Sequence, residues 1–139
     1  MNNCSAFFLV GPTASGKSTI AHILAEKKGC SLISADSMNV YRYMDIGTAK
    51  PLVHERGKIN YYGIDVVDPT ESFHVAAWLD AIKPAWLAGS IPIVCGGTGL
   101  YLKCLTQGLD SFDNENFNKR DLLNRKSLNN LQDYIKTVS

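Results

Sequence analysis

The sequence predicts an α/β protein in three layers, a parallel sheet with helices on both faces, followed by a helical tail. Three observations carry this. Four short apolar runs, 6–10, 31–35, 61–67 and 91–95, are each bounded by Gly, Pro, Asp or Ser, as buried strands are. Segments between them place apolar residues at helical spacing. Strands that alternate with helices pair in parallel and need cover on both faces.

The elements follow in order. The first run, 6–10, leads into Gly11-Pro12-Thr13-Ala14-Ser15-Gly16-Lys17-Ser18. A helix is predicted over 17–28 with Ile20, Ile23 and Leu24 on its buried face, and Gly29 ends it. Strands over 31–35 and 61–67 come next. Val75, Leu79, Ile82 and Trp86 recur at helical spacing, and Pro84 is expected to kink or split that helix. The fourth strand, 91–95, runs into a short helix over 100–105. Composition shifts after Leu109: residues 110–139 hold six asparagines, and Leu122, Leu123, Leu128, Leu131 and Ile135 predict two short amphipathic helices. The chain thus divides into a core, 1–109, and a tail, 110–139.

Size and composition set bounds. A chain of 139 residues suits one domain, and 45% hydrophobic with 19% charged residues is an ordinary globular balance. The net charge of +1, without a run of like charges, neither supports nor excludes a nucleic-acid partner; a local patch could serve. Cys4, Cys30, Cys95 and Cys104 lack the tight spacing of zinc or redox motifs, so they read as small buried hydrophobes in a reducing compartment. His22, His54 and His74 lack metal spacing and read as surface or capping residues. The apolar run of five residues is too short for a signal peptide or membrane span, so a soluble, cytoplasmic protein is expected.

Gly11-x-x-x-x-Gly16-Lys17-Ser18, between a strand and a helix, is a P-loop by spacing and context, and makes the fold P-loop NTPase-like. Its glycines let backbone amides point inward, and the helix adds its positive N-terminal end. Lys17 would lie on terminal phosphates and the Ser18 hydroxyl would ligate Mg²⁺. The motif specifies a polyphosphate without saying which. Further groups are expected at other strand ends, where ligands of parallel sheets bind. Asp36, after the second strand, reads as a general base or magnesium partner, or as a side-chain cap of its own turn. Gly96-Gly97-Thr98 offers close backbone approach and one hydroxyl, or a helix N-cap at Thr98. The loop 45–51, with its single cation Lys50, reads either as a phosphate contact or as an ordinary connection.

"GPTASGKS", "SADSMNVYRYMDIGTAKP", "IDVVDPTESF" and "PIVCGGTGLYLK" stand in this order. Together they closely resemble the tRNA dimethylallyltransferases, also called tRNA isopentenyltransferases, over roughly 7–109. The resemblance implies that the loop, Gly11 to Ser18, cradles the diphosphate of dimethylallyl diphosphate. It implies transfer of the prenyl group to the exocyclic amine of an adenine beside the tRNA anticodon, with Asp36 accepting the proton and Thr98 near the transfer site. Mg²⁺ on Ser18 is the implied cofactor. The tRNA anticodon stem-loop is the implied partner, touched by Asp36, Ser37, Met38, Asn39 and Thr98; a monomer is expected. Asn39 stands where the family usually has glutamine. The family also continues well beyond this length, through a helical insertion, of which 110–139 resembles the start, and a returning strand. Without that strand, 91–95 is expected at an exposed sheet edge. Two other readings are a small P-loop metabolite kinase, for which Arg120 and Arg125 lack lid context, and a non-catalytic remnant that binds diphosphate.

Overall fold

A computed structural model of the chain describes residues 5–87, 89–109 and 130. The chain divides into two units, Met1–Thr106 and Gln107–Ser139; the sheet and the candidate site lie in the first. The helices expected over the asparagine-rich tail, Arg120, Arg125 and Cys4 lie outside the described residues.

Four parallel strands form one sheet: β1 (Phe7–Val10), β2 (Leu32–Ala35), β3 (Tyr61–Tyr62) and β4 (Ile93–Gly96), in the order β1-β4-β2-β3. Helices α1 (Lys17–Lys28), α2 (Val75–Ile82) and α3 (Gly99–Gln107) flank it. Alternate residues of the inner strands face opposite sides. Leu32, Ile93 and Cys95 pack with Ala21 and Ala25 of α1, whereas Ile33, Ala35 and Val94 pack with Trp78 and Ile82 of α2 and Tyr101 of α3. Two cores on two sheet faces make the three layers that the pattern predicts.

The helix over 17–28 forms as expected, and Gly29 caps it at φ 63°, donating its amide to Ala25 O. Its buried face differs from expectation. Ile20, Ile23 and Leu24 are exposed, and Ala21 and Ala25 are fully buried. Small side chains let α1 approach β4 and β2 closely, so backbone proximity, not bulk, selects the face. Pro84 does split the second helix: α2 ends at Ile82 and a 3₁₀ turn, Lys83–Trp86, follows. A proline cannot donate to the helical ladder.

Two strand expectations are corrected. The 91–95 strand is not at an edge: β4 pairs with β1 on one side and β2 on the other. The free edges belong to β1, where Phe7, Phe8 and Val10 are exposed, and to β3. The third strand stops at Tyr62 instead of reaching residue 67. The Trp78 indole Nε1 donates to Ser34 O at 3.0 Å, taking the carbonyl that the β2–β3 ladder would use next. Gly63 then turns the chain at φ 72°, with no room for a side chain beside that same indole nitrogen. Pairing resumes only as an isolated bridge from Val67 to Tyr41.

Candidate functional site

The register aligns three strand ends. Val10 pairs with Gly96, and Gly96 pairs with Ala35. The turns that leave β1, β4 and β2 therefore start abreast at the carboxyl end of the sheet. They carry the loop 11–18, Gly97-Thr98, and Asp36-Ser37.

The loop curls as its glycines permit. Gly16 sits at φ 78° and caps α1 without a side-chain bond, and no acidic residue lies in the first helical turn. The amides of that turn thus face outward at a positive helix end. Ala14 also has a positive φ, 62°, a conformation that costs a non-glycine residue on the order of 1 kcal/mol. Pro12, Thr13, Ala14, Ser15, Gly16 and Ser18 are exposed, and Gly11 and Lys17 are half-buried. Lys17 Nζ donates to Pro12 O at 2.9 Å, which folds the ammonium back across the loop. The Ser18 hydroxyl reaches Cys95 on β4. Burial pushes the Cys95 thiol up, against the opposing pull of Ser18 and the Lys17 ammonium.

β2 and β4 are fastened together at their ends. Thr98 N donates to Ala35 O at 3.0 Å, and Ser37 N donates to Thr98 Oγ1 at 3.0 Å. The threonine hydroxyl thus binds the aspartate turn. A Cβ on Gly96 would collide with the Ala35 carbonyl, so the strands approach here as only glycine allows. Asp36 is half-buried, and its Oδ1 accepts from Met38 N at 2.9 Å. One carboxylate oxygen caps the turn, as the capping reading expects.

Of the residues implied to touch RNA, Asp36, Ser37 and Thr98 are half-buried and Met38 is exposed. Asn39 points inward at 9% exposure, its Nδ2 donating to Ser34 Oγ at 3.1 Å. Its Oδ1 is buried without a partner.

Tyr101 escapes sequence reasoning, which leaves Lys50 between two readings. Tyr101 lies in the first turns of α3, inside the quoted "GGTGLYLK", and stacks on Trp78 with ring centroids 4.5 Å apart. Burial pushes its phenol up to about 12, and nearby Tyr41 and Asp36 add to the rise. The Lys50 side chain is 1% exposed and donates to Tyr41 O at 2.5 Å and Asp65 Oδ1 at 2.8 Å, with Asp45 at 3.0 Å. With its ammonium committed to these partners, the loop 45–51 is a connection, the second of its two readings.

Magnesium takes oxygen ligands and retains several waters. Ser18 and Asp36 are oxygen donors after β1 and β2, whose ends flank that of β4, and no cluster of three or more His, Cys, Asp or Glu able to hold a metal occurs among the described residues. That sparse oxygen set fits a magnesium held mainly through a bound polyphosphate. No described helix is long and apolar enough to cross a membrane.

A P-loop at the first strand end, with an aspartate and a threonine at two others of one parallel sheet, defines an α/β protein of the P-loop NTPase-like fold. Comparison narrows the class. The IPP transferase family model matches residues 39–138 and the isopentenyl transferase model matches 4–64; the chain belongs to the IPP transferase family. It is 49% identical over 105 residues to a tRNA dimethylallyltransferase of Syntrophobacter fumaroxidans, covering 73% of this chain and 31% of that protein. Against a tRNA dimethylallyltransferase of Hydrogenobaculum it is 43% identical, covering 96% and 47%. The full-length tRNA isopentenylpyrophosphate transferase from Bacillus halodurans superposes with a TM-score of 0.67 at 33% identity, covering 98% of this chain and 48% of that one. A eukaryotic dimethylallyltransferase captured acting on tRNA superposes at 0.63 with 34% identity, covering 71% and 26%. The chain thus spans about half, or less, of the length of these relatives.

Proposed function

We propose that this chain forms the donor-binding half of a cytoplasmic tRNA dimethylallyltransferase. The observation that supports the reading is the alignment of three strand ends, so that the turns with Asp36 and Thr98 leave the same end of the sheet as the P-loop in a chain of this family. The loop amides, the α1 N-terminus and Lys17 suit the diphosphate of dimethylallyl diphosphate. Ser18 would hold Mg²⁺, which when bound neutralises charge on the diphosphate.

The reaction balances on these groups. The bond between the allylic carbon and diphosphate breaks, and its electron pair leaves with the diphosphate. The lone pair of the adenine exocyclic amine forms the new C–N bond. The amine proton passes to the Asp36 carboxylate, through the oxygen other than the one that accepts from Met38 N. Thr98, already bound to Ser37 N, holds the aspartate turn beside the donor. The adenine reaches this depth only when extruded from its stack.

A metabolite kinase would use the same loop for ATP. Thermal melts with Mg²⁺ and either dimethylallyl diphosphate or ATP separate the two. A ligand at about a hundred times its dissociation constant adds roughly 2.7 kcal/mol. The proposal expects the larger rise with dimethylallyl diphosphate; a rise with ATP alone overturns it.

A further inference from the structure

The turn that carries Asp36 is held at its far end by a charged cluster that the proposed reaction does not use. After Asp36 the chain runs 36–41 across the end of the sheet. Asn39 O accepts from Asp65 N at 3.0 Å, and Val40 O accepts from Val66 N and Val67 N. Tyr41 O accepts from Lys50 Nζ. Asp65 is the hub. Its carboxylate receives Lys50 on Oδ1 at 2.8 Å and Arg56 on Oδ2 at 2.5 Å, and its carbonyl receives Arg42 Nε at 3.1 Å.

Asp65 is also one of four described non-glycine residues at positive φ, at 52°. Such a conformation persists only where the surroundings over-determine it. Here the amide, carbonyl and both carboxylate oxygens of one residue are all engaged by the segment 39–56. Burial alone would raise this carboxyl, yet the hydrogen bonds from Lys50 and Arg56 hold it below the usual range, so it stays an anion that both cations can grip. Lys50 is fixed by two carboxylates and a carbonyl at once, with its side chain 1% exposed. A buried cation with that many partners has one geometry. It transmits that geometry to Tyr41 and, through four residues of chain, toward Asp36.

We propose that Asp65, through its bridge to Lys50 and Arg56, is a positioning residue for Asp36, clamping the far end of the 36–41 turn as Thr98 clamps the near end. The inference rests on the proposed prenyl transfer for its kinetic consequence and on geometry alone for its structural one.

The test has two readouts. Amide hydrogen exchange is followed at Ser37, Met38, Asn39 and Val94 in the wild type, in Asp65→Asn and in Arg56→Gln. Asp65→Asn is expected to speed exchange at Ser37, Met38 and Asn39 at least tenfold while Val94, in the sheet, keeps its protection. Arg56→Gln, which leaves the Lys50 arm, is expected to do so by a smaller factor; it decides the matter if Asp65→Asn does not fold. Unchanged turn protection in a folded variant overturns the proposal.

Prenyl transfer to an anticodon stem-loop RNA gives the second readout. Asp65→Asn is expected to lower kcat at least tenfold with the donor KM unchanged, and to cause no further loss in an Asp36→Asn background. An equal loss in that background, or a rise in KM with kcat kept, overturns it. A wild-type chain that transfers nothing counts against the proposed function, and hydrogen exchange then decides the clamp alone.

Discussion

The backbone amide of Ser37 donates to the hydroxyl of Thr98 at 3.0 Å, across 61 residues of chain. The contact ties the turn leaving β2 to the start of α3, and so fixes the aspartate turn against the strand beside the P-loop. Thr98→Val keeps the shape and removes the acceptor. An amide left unpaired in a half-buried position costs about 1–3 kcal/mol. Urea unfolding is expected to show that loss for Thr98→Val and to show less than about 1 kcal/mol for Thr98→Ser, which keeps the hydroxyl.

Two adjacent glycines should behave differently. A Cβ on Gly96 collides with the Ala35 carbonyl, whereas one on Gly97 meets Gly11 O at 3.5 Å, an ordinary contact. Gly96→Ala is expected to destabilise by at least about 1–3 kcal/mol, because the obstacle is strand backbone that cannot rotate away. Gly97→Ala should stay within about 0.5 kcal/mol. Paired thermal melts compare them.

Acid should weaken the Asp65 bridge in a defined direction. Its carboxyl lies below the ordinary 3.8 because hydrogen bonds from Lys50 and Arg56 outweigh burial. A depressed value means that the bridge contributes fully above the unfolded-state value and loses that contribution as pH falls through the folded one. Stability measured from pH 6 downward is expected to fall off below about pH 4, and the fall should be shallower in Asp65→Asn. Lys50→Met removes a buried ammonium from two partly exposed carboxylates, one of which keeps Arg56, and is expected to cost about 1–3 kcal/mol at neutral pH.

Alkali should act through Tyr101. Its phenol is raised to about 12 by burial, with Tyr41 and Asp36 adding. The unfolded chain ionises near 10 while the folded one resists, so stability is lost as pH climbs from 10 through 12. Tyr101→Phe, which cannot ionise, is expected to flatten that loss in melts taken between pH 9 and 12.

Local chemistry made much of this legible in the sequence. The P-loop lies between a strand and a helix, Gly29 ends α1 and Pro84 splits the second helix, each a local feature that the sequence reading expects. What depended on packing partners was harder to read. Ile20, Ile23 and Leu24 form an apolar spacing on α1, yet Ala21 and Ala25 face the sheet because β4 and β2 come too close for larger side chains. The end of β3 hinges on Trp78 reaching Ser34 from 44 residues away. Strand order has no local signature either, so β4 could not be recognised as an inner strand. In the site, Asp36 and Thr98 stood out by following strands into turns. Asp65 and Tyr101 did not, and Lys50 stood out only as a cation with two open readings, because their roles come from distant partners and not from neighbours in the chain.

The central claim is that the three aligned strand ends transfer a prenyl group with Asp36 as the base. The most direct measurement is transfer of labelled dimethylallyl from its diphosphate, with Mg²⁺, to an anticodon stem-loop RNA whose adenine lies beside the anticodon, by the wild type and by Asp36→Asn. The account predicts labelled adenine with the wild type and a loss on the order of 10²–10⁴-fold with Asp36→Asn, the range of general acid–base catalysis. Wild-type transfer that survives Asp36→Asn unchanged, or label that never reaches adenine, would contradict it.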